Sequence, residues 1–468
     1  MERMVFQHAG EHLLTAPEQF NNTKSNASNN TAYDSGTMGL RMVVFGGGDV
    51  ATPSLSSSEW NGQGRAWTEV MCKKLGCDTY LSFVPEADST GGAVISNSLL
   101  DAAYERVSAY TVGSKNDDKT AKIDYSWVTE QYPKPYQHDL AAQVDSFLSS
   151  SRQQRASTES LWVFNVGYWD VWYLAALPRK LATEVLDLGA RDLFFQIERL
   201  YQAAQDPTSA AFSRPYDQTA RAPFRIFLTR VFDISLTPGF ASERPNPPKP
   251  HLSSTQLRNA AFLTKYWDAL LEMLVDHWLA TPDPESWSIA DKVDIKVLEA
   301  LVGKRSLADQ DPGQEEEAGK DHDRWSGKIS LPRREVSSYG ISHYVRELMM
   351  DRQLRNADLF DHNGLGARPS EDGFLDISMP CALNIADNAV IGDEEAAAAG
   401  PLSKTVVCQE PDNYLFYTGF TVGPRAIHEI GVRAARRFLD QVEINSRWRE
   451  KARMHKDGGR EHAEPSTM

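Results

Sequence analysis

Two stretches of the chain are apolar at nearly every position rather than at alternate ones: Leu40 to Phe45 and Leu161 to Val166. Alternation marks a strand with one wet face, whereas an unbroken apolar run marks a strand buried on both, as inside a parallel sheet. Both are therefore expected to be central strands. Phe224 to Val231 and Asp78 to Val84 read as further strands. Elsewhere the period changes. Apolar residues recur at helical spacing over Leu181 to Gln205 and over Ser253 to Leu279, with Ser253 placed to cap the first turn.

Shorter helices are predicted over Arg65 to Lys74, Asp139 to Leu148, Val171 to Leu177, Ser342 to Arg355 and Arg425 to Val442, and a strand-to-helix unit over Trp287 to Val302. Gly46 to Gly48 stop the first strand, and five prolines between Pro238 and Pro250 break the chain before the long helix. Strands alternating with helices predict an α/β fold, a three-layer α/β/α sandwich with a central parallel sheet.

Polar segments set the boundaries. Residues 1–38 are rich in Asn, Ser and Thr and read as a disordered leader. Residues 39–445 form the folded domain, with 303–335 as a disordered acidic insertion around Glu315, Glu316 and Glu317, and 446–468 as a solvated tail. The first residues lack the apolar core of a secretory signal. Asn21, Asn26 and Asn29 nevertheless each open an N-x-S/T triplet. Chance in such a composition and a secreted ancestor both explain these triplets, so the compartment stays open, with the cytoplasm as default.

The chain has 468 residues, 41% of them hydrophobic, enough for one large core or two modest ones. No run nears the ~18 apolar residues of a membrane-spanning helix. A net charge of −15 disfavours a nucleic-acid partner, because phosphate contacts need a basic surface.

Four blocks carry the candidate chemistry: RMVVFGGGDV from Arg41 to Val50, Gly91-Gly92-Ala93, WVFNVGYWDVW from Trp162 to Trp172, and CQEPDNYLFYTGFTVG from Cys408 to Gly423. In order and spacing they resemble the GDSL, or SGNH, hydrolases in their larger plant and fungal form, which write the blocks FGDS, GGA, GxND and YxFWDxxHPT. The resemblance spans roughly residues 40–442. It implies a flavodoxin-like, SGNH-hydrolase-like sandwich and descent from an ester hydrolase. It also implies that Gly46, Gly48, Asp49, Gly92, Gly167, Trp169, Asp170, Thr418 and Thr421 gather around one remnant cleft at the strand ends. Large family members carry a cysteine just before the last block and an earlier partner. Cys408 and Cys381 match these, so the resemblance implies a disulfide between them, and free thiols remain the alternative.

The chemistry itself is missing. The family's serine falls on Gly48, its asparagine on Trp169, and its last Asp and His on Thr418 and Thr421. Acyl transfer needs a nucleophile, a base and oxyanion donors. Gly48 has no side chain, and placing Asp49 on the motif's Asp only moves Val50 to the nucleophile. A threonine hydroxyl is no base near neutral pH. The nearest replacements are Ser54, in a Ser/Thr-rich loop, and His428, on the closing helix. Asp170 is retained, and the family commonly uses it to support the oxyanion loop. Trp169, Trp172 and Tyr173 make the rim aromatic, either as packing or as a stacking platform for a sugar or aromatic ligand.

One rival motif exists. Gly46 to Ala51 fits G-x-G-x-x-A after a strand, the dinucleotide fingerprint. That fingerprint needs a helix at the glycines, yet Thr52 to Ser58 reads as loop, and Glu86 comes too late for the acid expected roughly 20 residues on. No HExxH, CxxC or P-loop occurs, so neither a metal nor a cofactor has support in the sequence. Three readings follow: a degenerate hydrolase holding a carbohydrate, lipid or ester; an active ester hydrolase with relocated residues; and a non-catalytic interaction protein.

Overall fold

The computed structural model describes residues 39–53, 65–85, 91–108, 124–150, 157–213, 222–280, 331–357, 373–386 and 403–442, all within one compact unit, Thr37–Met468. The leader, Ser54, Glu86, the Trp287 to Val302 unit, residues 303–330 and the tail 446–468 lie outside the described residues.

In chain order the elements are β1 (Leu40–Gly46), α1 (Trp67–Leu75), β2 (Thr79–Ser82), α2 (Asn97–Ser108), α3 (Trp127–Gln131), α4 (Leu140–Leu148), β3 (Glu159–Asn165), α5 (Tyr168–Leu174) and α6 (Arg179–Ala203). They continue with β4 (Phe224–Arg230), α7 (Pro238–Ser242), α8 (Ser253–Ala280), β5 (Arg334–Gly340), α9 (Ile341–Ala357), β6 (Asp376–Pro380), β7 (Ala382–Ala386), β8 (Ser403–Val407), β9 (Tyr414–Phe416) and α10 (Pro424–Gln441). The main sheet runs β2-β1-β3-β4-β5, parallel throughout. This is the doubly wound order of flavodoxin-like folds, with its switch point between β1 and β3.

Both faces of the sheet are covered, which is why its central strands have no polar alternation. On one face Phe45, Trp162 and Phe224 form an aromatic row against Phe147 of α4 and Trp278 of α8. On the other, Phe227 meets Trp67 of α1 and Phe438 of α10. Arg41 is fully buried in β1, where its guanidinium lies over Phe147 and Trp162 and donates to Ser160 and to the carbonyls of Ala210 and Ala211. Buried charge is tolerated only with such partners.

β5 has no counterpart in the sequence pattern. Arg334 and Glu335, assigned above to the insertion, open this strand. Its register against β4 is held by a buried ion trio in which Arg225 bonds Glu159 of β3 and Glu335 of β5. α2 was likewise unforeseen. Asp139 caps α4 by accepting from Ala142 N–H, and its second oxygen accepts from Asn97 N–H at the start of α2. Beyond the main sheet, β6 pairs with β9 and β7 with β8. The expected Cys381–Cys408 disulfide is formed across the base of the β7–β8 hairpin, with Cα atoms 5.0 Å apart.

Candidate functional site

In an open parallel sheet, ligands bind beyond the carboxyl ends of the strands at the switch point. Here that is the turn after β1, and all four blocks meet there. Gly47 N–H donates to the Asn165 carbonyl at the end of β3 (3.0 Å), and Val422 N–H donates to the Val50 carbonyl (2.7 Å). Ile95 N–H donates to Asp170 (3.0 Å), and the Tyr168 hydroxyl donates to the Phe420 carbonyl (3.0 Å).

The meeting place is filled. A Cβ on Gly92 would fall 2.3 Å from Trp169 Nε1, so the indole occupies the space above the glycines. Trp169 also packs on Tyr168 and Phe420, with ring centroids 5.2 and 5.4 Å apart, and is only 3% exposed. Trp172 is equally buried, its ring covered by the Arg244 guanidinium (4.6 Å) and the edges of Phe240 and Phe420. A stacking platform needs an open ring face. Neither tryptophan offers one, so the aromatic rim is packing.

Gly48 has φ +82°, a left-handed backbone, and a Cβ there would lie 3.2 Å from Thr52 Cγ2. A serine at this position would be strained as well as crowded. Thr418 and Thr421 face each other, with their hydroxyl oxygens 2.7 Å apart, and Thr418 Oγ1 accepts from the N–H groups of Phe420 and Thr421. The two threonines thus close a tight turn. His428 is exposed on α10, between the buried Ile427 and Ile430. Ser54 is outside the described residues.

Asp49 holds the turn together. Its Oδ1 accepts from Ala51 N–H (2.8 Å) and from the Thr52 hydroxyl (3.0 Å), and its Oδ2 accepts from Trp67 Nε1 (3.1 Å). Asn165 Nδ2 donates to Thr52 Oγ1. Burial pushes the Asp49 carboxyl up to about 6, against the pull of these donors. Asp170 sits at the third position of α5, with its carboxylate turned back on the Gly167 N–H as in a capping box. Burial pushes it up to about 6 as well. Both aspartates connect blocks, and neither points into open space.

Three partners at this site escaped the sequence reading: Thr52, Trp67 and Asn165. The available clue was that an aspartate directly after a buried strand must find donors. Gln143 of α4 is a fourth, accepting from Gly46 N–H and donating to its carbonyl.

Room lies elsewhere. Beside Asp170 there is a void of about 10 Å³, no more than a water's space. A groove of about 220 Å³ opens instead between α8 and β4–β5, lined by Leu228, Arg230, Asp268, Glu272, Asp276 and Val336 among others. Among the described residues no cluster of three His, Cys, Asp or Glu side chains is placed to hold a metal ion, and no helix is long and apolar enough to cross a membrane. No family model matches the chain, and no curated protein matches it in sequence.

Proposed function

We propose that this protein is a degenerate GDSL/SGNH-type hydrolase, a pseudoenzyme that acts by recognition and does not turn over esters. The supporting observation is the indole of Trp169, packed on Gly92 and Phe420 where the resemblance puts an oxyanion-hole amide. A tetrahedral intermediate needs donors around an empty position, and this position is occupied by a ring. The nucleophile and base positions are a glycine and a hydrogen-bonded threonine pair. A carbohydrate, lipid or ester partner therefore contacts the surface of the molecule and does not enter the former reaction centre.

The test is turnover of short aryl esters together with labelling by a fluorophosphonate probe. The expected result is hydrolysis at background and no labelling.

The second reading, an active hydrolase with relocated residues, draws on one contact. The Thr52 hydroxyl donates to Asp49, a carboxylate whose pKa near 6 suits a general base. Labelling of the wild-type chain that is lost in Thr52→Val would establish this reading and overturn the pseudoenzyme proposal.

A further inference from the structure

Cys72 and Cys77 stand on either side of a helix end. Had α1 continued between them, the two thiols would point away from each other. Instead α1 stops at Leu75, and Gly76 takes a left-handed conformation at φ 70°, ψ 40°. Gly76 N–H donates to the Lys73 carbonyl (3.2 Å) and Cys77 N–H donates to the Cys72 carbonyl (3.0 Å). These two bonds define the Schellman cap, which folds the residue after the glycine back over the helix's last turn. In this chain the two residues so opposed are both cysteines.

The cap sets their side chains on the same side of the helix end, where Cys72 Sγ reaches the Thr79 carbonyl at 4.0 Å. Cys72 is buried in the core, Cys77 is partly exposed, and neither takes part in the Cys381–Cys408 bridge. The cap thus sets a buried and a half-buried reduced cysteine side by side.

We propose that Cys72 and Cys77 form an oxidisable dithiol, a modification site that closes to an intramolecular disulfide when it meets a low-molecular-weight disulfide such as oxidised glutathione. The half-buried Cys77 loses its proton and attacks one sulfur of the oxidant, releasing the first reduced thiol and leaving a mixed disulfide. Cys72 then loses its proton and attacks the Cys77 sulfur, displacing the second reduced thiol. The protein loses two electrons and two protons, and the oxidant becomes two thiols. Closure ties the last turn of α1 to the entry of β2, whose Thr79 pairs with Arg41 of β1.

The experiment uses the full chain, equilibrated in glutathione buffers of increasing oxidising strength, alkylated, and digested with trypsin without reduction. Lys73 and Lys74 lie between the cysteines, so trypsin separates the two thiols unless they are bonded. The expected product is a pair of joined peptides, two hydrogens lighter than their sum and released by reductant. Cys72→Ser should instead accumulate a glutathione adduct on Cys77. Gly76→Ala, which disfavours the left-handed cap, should need a several-fold more oxidising buffer to close. Full alkylation of both thiols in the wild-type chain under the most oxidising buffer would overturn the proposal, as would a stable glutathione adduct on wild-type Cys77 with no joined pair. An unchanged closure midpoint in Gly76→Ala would remove the cap as its basis. The wild-type result alone decides the matter if a variant does not fold.

Discussion

The turn after β1 and the groove beneath α8 are opposites. At the turn, where a doubly wound sheet ordinarily receives its ligand, Trp169 packs against Gly92 and Phe420, and Asp49 is tied to Thr52 and Trp67. Beside β4 and β5 a groove of about 220 Å³ stays open, its rim carrying Asp268, Glu272 and Asp276 of α8 opposite Arg230. Topology therefore chooses where a site would be, and side-chain volume chooses whether one exists. Two buried indoles, Trp169 and Trp172, are enough to make core of this region.

The sharpest way to break this contrast is Trp169→Ala. If the indole is a packed plug, its removal should cost about 3–5 kcal/mol, read from the urea midpoint. The variant should also gain a hydrophobic cavity that raises its melting temperature with a small aromatic such as indole. A change below about 1 kcal/mol would mean that the ring is not part of the core.

The second largest effect concerns pH. Burial raises Asp49, Asp170 and Asp268 to about 6. Unfolded, each would release its proton near 3.9. Between those values the folded chain holds more protons than the unfolded one, so stability is greatest below about pH 4 for these groups and is lost as pH rises through 6. Asp170→Asn keeps an acceptor for Ile95 N–H but removes one titrating group. Relative to wild type, it should gain up to roughly 3 kcal/mol between pH 4 and pH 7. Parallel stability curves for the two proteins would contradict the buried assignment.

Gly48→Ser comes third. Its left-handed backbone and the nearby Thr52 methyl predict a loss of about 1–2 kcal/mol and no gain in ester turnover. A stable variant that labels with fluorophosphonate would show the turn still suited to a nucleophile. Smallest is Glu272→Gln in the groove, where the side chain is two-thirds exposed and its Arg230 contact is 3.6 Å. It should shift stability by less than about 0.5 kcal/mol. A larger loss would mean that the groove is structurally closed in solution.

Much of the scaffold was legible because its signals are local. The unbroken apolar runs at β1 and β3 could be placed only inside a covered sheet, and the helical periods of α6 and α8 fall within two residues of the expected spans. β5 was not legible. Its sequence, REVSSYG, has a strand's propensity at neither end, and it joins the sheet because Arg225 of β4 needs Glu335 and because α8 delivers the chain to that edge. α2 was missed for a similar reason, its start being fixed by Asp139, 42 residues away.

At the site, the glycines at 46–48, the tryptophan at 169 and the threonines at 418 and 421 could be read directly from the letters. That the region would be closed could not, since a tryptophan lines an open cleft as readily as it fills one. Three distant contacts made the difference: Phe420 against its ring, Gly92 beneath it, and Val422 bonded to Val50. The same division holds for Cys72 and Cys77, whose spacing is compatible with thiols held apart or together until a left-handed glycine ends the helix between them. Period and composition act over a few residues, so the sequence by itself determined the layers and which residue types stand in the turn after β1. Packing and hydrogen-bond satisfaction act between residues brought together from hundreds of positions apart, so only the tertiary structure decided what fills the space beyond that turn.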